Sequence, residues 1–324
     1  MVAMVQNSRW RSGWRSLLAW FDAGAVDESV HAQSKSIDWL RTVPFVGMHL
    51  ACLGVIWTGW SPVAVGTAIA LYLLRMFAIT GFYHRYFSHR SFRTSRTIQF
   101  IFALLGAASV QRGPIWWAAH HRHHHATTER EEDPHSPVHH GLWWSHTGWF
   151  LTLEHFSAPA ERVRDWKVYP ELRFLDRFDI IVPILLAIGL LLTGAFLENV
   201  APQLGTSAGQ MLVWGFFVST VFLYHGTFTI NSLGHRWGKR RYATDDNSRN
   251  NFWLALLTLG EGWHNNHHHY PVSVKQGFYW WEIDITYYLL RSMAAMGLIW
   301  DLKPVPQNIR ESNRIDSVPG SLKK

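Results

Sequence analysis

Residues 42–74 read TVPFVGMHLACLGVIWTGWSPVAVGTAIALYLL, a run with no Asp, Glu, Lys or Arg. It is too long for a single crossing of a hydrocarbon core about 30 Å thick, which takes about 20 helical residues. Gly59-Trp60-Ser61-Pro62 interrupts it with turn-forming residues, so two spans are expected, about 42–59 and 62–83. A second uncharged pair follows at about 180–197 and 208–232, separated by Glu198 to Ser207. The apolar segment 97–111 is too short to cross and is expected to dip into one leaflet or pack on the bundle. Neither 59–62 nor 198–207 carries a Lys or Arg. Arg85, Arg90, Arg93 and Arg96 follow one pair, and Arg236, Lys239, Arg240 and Arg241 follow the other. The positive-inside rule then puts both termini, and everything between the pairs, in the cytoplasm. The fold expected is an all-α membrane protein with four transmembrane helices and a cytoplasmic cap.

Composition agrees with that reading. Charged residues are 16% of the 324 positions, against about 25% in ordinary soluble domains, and 19 are Trp. The formal charge of +7 disfavours a cationic partner, the apolar content excludes global disorder, and no nucleic-acid partner is expected. Cys52 is the only cysteine, which excludes an internal disulfide, a four-Cys iron–sulfur cluster and a Cys-rich zinc site. Residues 1–41, with Arg9, Arg11 and Arg15 among Trp and Leu, suit an amphipathic interfacial helix better than a cleaved signal peptide. The main domain is expected over 42–300 and a loose tail over 301–324.

Of 20 histidines, 18 fall between His84 and His269. His84 and His89 are five residues apart, about 140° around an α-helix, so they meet one ion only where the helix ends or bends. His121, His124 and His125 stand at i, i+3 and i+4, which puts them on one face and His123 on another. His264, His267 and His268 repeat that spacing, and His235 adds a ninth ring. Nine imidazoles suffice for two ions. Isolated rings such as His49, His155 and His225 read as packed or hydrogen-bonded side chains, and His120, His123 and His269 as neighbours of ligands or surface groups. Imidazole sites hold zinc, iron, copper or nickel, so spacing leaves the metal open. The spans lack the Asp and Glu expected along an ion path, which disfavours a transporter and favours two redox-active irons working with O₂.

His-Arg-Tyr-Phe-Ser-His at 84–89, His-Arg-His-His-His at 121–125, Asn-Ser-Leu-Gly-His at 231–235 and Gly-Glu-Gly-Trp-His-Asn-Asn-His-His at 260–268 resemble the motifs of membrane fatty acyl-CoA desaturases of the stearoyl-CoA, Δ9 type. The resemblance covers about 40–300 and includes Asp133-Pro134-His135. It implies nine iron ligands, His84, His89, His121, His124, His125, His235, His264, His267 and His268, with Asn231 holding a water that completes one site. It implies O₂-dependent conversion of a saturated acyl chain, most simply at position 9 of an acyl-CoA, to a cis-alkene in a bacterial inner membrane. Glu261 and Asp133 are then expected as hydrogen-bond partners of ligating rings rather than as acid–base groups. Matching positions assign a bend in the substrate tunnel to Gln111, Trp117 and Thr227. Tyr72 and Met76, one helical turn apart on the second span, are candidate stops at its end.

His120 departs from the Asp usual at that place in animal acyl-CoA enzymes. No His-Pro-Gly-Gly signature, flavin-binding glycine pattern or cysteine cluster occurs in the 324 residues. Two electrons are therefore expected from an external carrier of ferredoxin, rubredoxin or cytochrome b5 type with its reductase. Arg236, Lys239, Arg240 and Arg241 are candidate contacts for it. Two rival functions share parts of this pattern: a diiron membrane hydroxylase of an alkane, sterol or fatty acid, and a metal transporter or sensor without catalysis.

Overall fold

A computed structural model of the chain describes residues 18, 20–25 and 35–315. Most of the expected N-terminal interfacial helix and the last nine positions of the tail, 316–324, lie outside the described residues. Among the described residues four helices are long and apolar enough to cross a membrane: α1 Trp39–Thr58, α2 Pro62–Ser88, α6 Ile181–Val200 and α7 Ala208–His235. They match the four expected spans to within a few residues, and the protein is an integral membrane protein.

Local chemistry sets the helix ends. Gly59, at φ 67°, closes α1 in a conformation that side chains disfavour, and Ser61 caps α2 by accepting from Ala64 N at 3.1 Å with Pro62 in the first turn. Ser207 and Gln210 form a reciprocal capping box at the start of α7. Gln210 Nε2 also donates to Thr58 O at 3.0 Å, and Thr206 Oγ1 to Ser61 Oγ at 2.9 Å, which ties the turn between α1 and α2 to the turn between α6 and α7.

Inside the bundle the guanidinium of Arg75 is buried. It donates to Leu71 O, Ala108 O, Thr220 Oγ1 and Ser219 Oγ at 2.7–3.1 Å, so α2, α7 and the turn after residue 107 share one polar staple. A charge in the hydrocarbon region persists only when its donors are satisfied in this way.

Between the two pairs of spans lies the cap. Helix α3, Arg96–Ala107, extends about 18 Å at 1.5 Å per residue and packs on α2 without crossing, as its length requires. Helix α4, Pro114–Thr127, carries the second histidine cluster. Its first turn is capped from α5, Pro170–Arg177: Asp176 accepts from Ile115 N and Trp116 N, each at 3.0 Å. A Cβ on Gly113 would lie 2.1 Å from that carboxylate, so only glycine permits the approach. Short helices α8 Phe252–Leu257, α9 His264–His269 and α10 Ile285–Ala295 complete the cap. One antiparallel pair, Arg93–Thr94 with Ile299–Trp300, holds its ends together.

The tail differs from expectation. Residues 301–315 pack against the cap: Ile315 N donates to Arg241 O at 2.9 Å and Tyr242 Oη to Arg310 O at 2.8 Å. The buried Tyr242 ring, stacked 4.0 Å from His269, provides the surface that retains the segment.

Candidate metal centre and acyl cavity

Helix α2 changes register before it delivers its histidines. From Ala78 to Ser88 it is a π-helix, and His89 N donates to His84 O at 3.2 Å. Bonding from i to i+5 brings residues five apart onto one face, so His84 and His89 meet although α-geometry would part them. On α4, His121 and His125 point the same way. His267 comes from α9, and these five rings form one group whose nitrogens lie within 4.8 Å of one another. His124, His235, His264 and His268 form a second group of the same kind. All nine histidines singled out from the sequence are thus brought together, divided five and four. His123 is in neither group; its Nε2 faces Glu132 O at 3.2 Å.

Two features fit these residues to metal ions. Ring nitrogens from different helices face one another at close range: His84 Nε2 and His267 Nε2 at 3.0 Å, His89 and His121 at 2.8 Å, His125 and His267 at 2.9 Å, and His235 and His264 at 3.1 Å. The opposite nitrogen of four rings meets a carboxylate. His84 Nδ1 faces Glu261, His124 Nδ1 faces Asp133 at 3.0 Å, His235 Nδ1 faces Glu129 at 3.2 Å and His268 Nδ1 faces Asp246 at 2.5 Å. A carboxylate on Nδ1 fixes the tautomer that leaves the Nε2 lone pair free, the usual support of a metal-bound histidine. His268 Nε2 is buried with no hydrogen-bond partner among the described residues.

Electrostatics agree. Burial pushes His89, His121, His125, His264 and His267 well below the ordinary imidazole range and His268 down to about 4, which keeps these lone pairs unprotonated. Burial alone would raise Asp133 and Asp246. The His124 and His135 rings beside the first, and His268 and Ser248 beside the second, outweigh it and hold both well below the usual carboxylate range.

An apolar cavity of about 520 Å³ reaches this centre. His121 and Asn231 line it near the histidine groups, and Met48, Ala187, Phe216 and Phe217 line it between spans α1, α6 and α7. From Asn231 to Phe217 the wall of α7 runs about 21 Å at 1.5 Å per residue, enough for a long acyl chain. Volume and lining suit an apolar ligand met by a few polar groups.

The fatty acid desaturase description matches residues 58–301. The chain belongs to the fatty acid desaturase family. It is 36% identical over 270 residues to an sn-1 stearoyl-lipid 9-desaturase of Anabaena variabilis, covering 82% of this chain and 94% of the relative. It is 36% identical over 274 residues to a palmitoyl-monogalactosyldiacylglycerol delta-7 desaturase of Arabidopsis thaliana, covering 83% and 70%. It is 34% identical over 299 residues to an acyl-CoA 5-desaturase of Anemone leveillei, covering 88% of each. This desaturase is an oxidoreductase acting on fatty acyl chains.

Three of the five residues singled out for the tunnel line the cavity: Gln111, Trp117 and Thr227, with Gln111 Nε2 donating to Thr227 Oγ1 at 3.0 Å. Tyr72 and Met76 are not among the cavity's lining residues. They do share a face, but it packs on Gly226, where a Cβ would lie 3.0 Å from each side chain, and Tyr72 Oη donates to Leu257 O at 2.6 Å. Of the basic residues after α7, Arg236 and Lys239 are exposed, whereas Arg240 donates to Thr244 O and Arg241 pairs with Glu282. Glu261 faces His84 and Asp133 faces His124, as anticipated. Glu129 and Asp246 were not anticipated: Glu129 belongs to the charged run Glu129-Arg-Glu-Glu-Asp133, which reads as a solvated surface, and Asp246 stands in a loop with no spacing rule.

Proposed function

We propose that the desaturase holds two iron ions, one among His84, His89, His121, His125 and His267 and the other among His124, His235, His264 and His268, with a water on Asn231 completing the second set. What supports this is the convergence of nine imidazoles, five of them buried and four half-buried, with four of the nine backed by carboxylates, beside an apolar cavity. Bound iron would supply, from O₂ and two electrons, an oxidant strong enough to take hydrogen from unactivated methylenes. The acyl chain loses one hydrogen from each of two neighbouring carbons and gains a cis double bond; O₂, with two further electrons and two protons, leaves as two waters. Trp117, Thr227 and Gln111 bend the chain so that one pair of methylenes lies against the histidine face, and the apolar walls keep bulk water away.

Position 9 and an acyl-CoA carrier are the simplest reading of the sequence motifs. The relatives named for acyl-lipids and for acyl-CoA make the carrier a matter for experiment. On this reading both termini and the cap face the cytoplasm from a bacterial inner membrane, and the exposed Arg236 and Lys239 would offer positive charge to a ferredoxin, rubredoxin or cytochrome b5-type donor served by its reductase. Expression in a host lacking unsaturated fatty acids, followed by mass spectrometry of double-bond position, tests the proposal. A monounsaturated cis product at one position supports it. A hydroxylated product would support oxygen insertion instead, and vesicle transport of a metal with no lipid product would support a carrier.

A further inference from the structure

Among the described residues, three buried rings in the cavity wall carry a nitrogen without a hydrogen-bond partner, and while His135 Nδ1 has Asp133 3.7 Å away, His120 and Trp149 have no carboxylate beside them. His120 is 5% exposed, and among the described residues neither of its ring nitrogens has a hydrogen-bond partner. Trp149 is 7% exposed and its Nε1 is likewise unpaired. Both line the cavity, and their rings stand edge to face with centroids 5.5 Å apart. Two neighbouring donors are already engaged: Trp116 Nε1 donates to Phe156 O at 2.9 Å and Arg41 pairs with Asp38; the Arg112 guanidinium is held beside Asp179 as an ion pair at 3.1 Å. A neutral imidazole offers one N–H and an indole one N–H with no acceptor, so the demand the two side chains share is for an acceptor oxygen. Buried donors left unmatched are costly, and native interiors rarely keep them.

We propose that His120 and Trp149 form a subsite for the carbonyl oxygen of the ester or thioester that carries the acyl chain. The inference rests on the reading that the cavity holds that chain. His120 lies one helical turn before His124, about 6 Å along α4, and His135 bridges Trp149 and His124 with centroids 5.2 and 4.2 Å away. A carbonyl held there sits at a fixed distance from the histidine groups. The double bond is then counted from the carboxyl end whatever the chain length. The second nitrogen of His120 remains to accept from an N–H or O–H of the head group.

Infrared spectroscopy of the full chain in a carbonyl-free detergent, with methyl stearate carrying ¹³C at its carbonyl, tests the subsite without turnover. Bound ester should show its carbonyl band at lower wavenumber than in detergent alone. H120F and W149F should each move it part of the way back, the double variant fully, and each single change should raise the dissociation constant of methyl stearate about tenfold, the effect of one hydrogen bond. A band in the native chain coincident with that in detergent, or one that ignores both substitutions, overturns the subsite and leaves the acyl cavity standing. No saturable binding of methyl stearate overturns both. Should a variant not fold, the native chain decides the matter: C16 and C18 substrates should carry the double bond at the same distance from the carbonyl, and a position constant from the methyl end overturns the proposal.

Discussion

Replacing Glu261 by Gln removes one negative charge from the hydrogen bonds behind His84 and changes almost no volume. In the native site one carboxylate oxygen faces His84 Nδ1 and accepts from Gln276 Nε2 at 2.9 Å, while the other accepts from Arg85 Nη2 at 3.0 Å. An amide has only one acceptor oxygen. If that oxygen serves His84 and Gln276, the new NH₂ opposes Arg85. If it serves Arg85, the NH₂ faces His84 Nδ1 and forces the tautomer that protonates Nε2, the nitrogen facing His267. Either arrangement weakens the five-histidine group. Loss of such a supporting partner costs about 10- to 100-fold in metal affinity, or about 1.4 to 2.7 kcal/mol. The fold should survive, because Arg85 keeps Asp284 through bonds of 2.9 and 3.1 Å. The assay is iron retained per chain after dialysis against graded chelator, alongside thermal unfolding of the metal-free protein. E261Q should release one iron per chain at lower chelator concentration than the native protein and keep the second. Unchanged retention, or equal weakening of both, would refute the tautomer argument.

His124→Ala should abolish desaturation and lower bound metal, whereas His123→Ala should keep most of both, because only His124 belongs to a ligand group; matched product and metal assays check this. Thr227→Val removes the bond from Gln111 and should spread the double-bond position without loss of metal, as read by product mass spectrometry. Burial pushes Asp176 up to about 6, so its contribution to stability is full below about pH 4 and lost as pH passes about 6. That effect is worth at most about 3 kcal/mol and less for a residue that keeps some solvent contact. The advantage of Asp176→Asn over the native chain in thermal unfolding should therefore grow between pH 4 and 7. The buried neutral rings act in the opposite sense: their stabilisation is present above about pH 6.5 and lost below it, so the metal-free protein should unfold more readily as pH falls from 6.5 toward 4.

The spans were legible because a bilayer tolerates almost no charge, and uncharged runs broken by Gly59 to Pro62 leave few other readings. The i, i+3, i+4 triplets were legible for a similar reason, since α-helical geometry alone puts them on one face. His84 and His89 were legible as candidate ligands that an α-helix would part, to be united only where the helix ends or bends; the π-register that unites them is set by a backbone shift with no residue-type signature. Spacing correctly put Tyr72 and Met76 on one face but could not say what covers it, and Gly226 of α7 does. Glu129 and Asp246 reach His235 and His268 from segments far away along the chain, a proximity that only the tertiary fold creates.

Iron and protein measured on the same sample of purified, anaerobically loaded chain, together with X-ray absorption at the iron edge, bear most directly on the account. Two irons per chain, each in a shell of nitrogen neighbours, is the expected result. A single iron per chain in a fully active preparation, or a shell dominated by carboxylate oxygen, would contradict it.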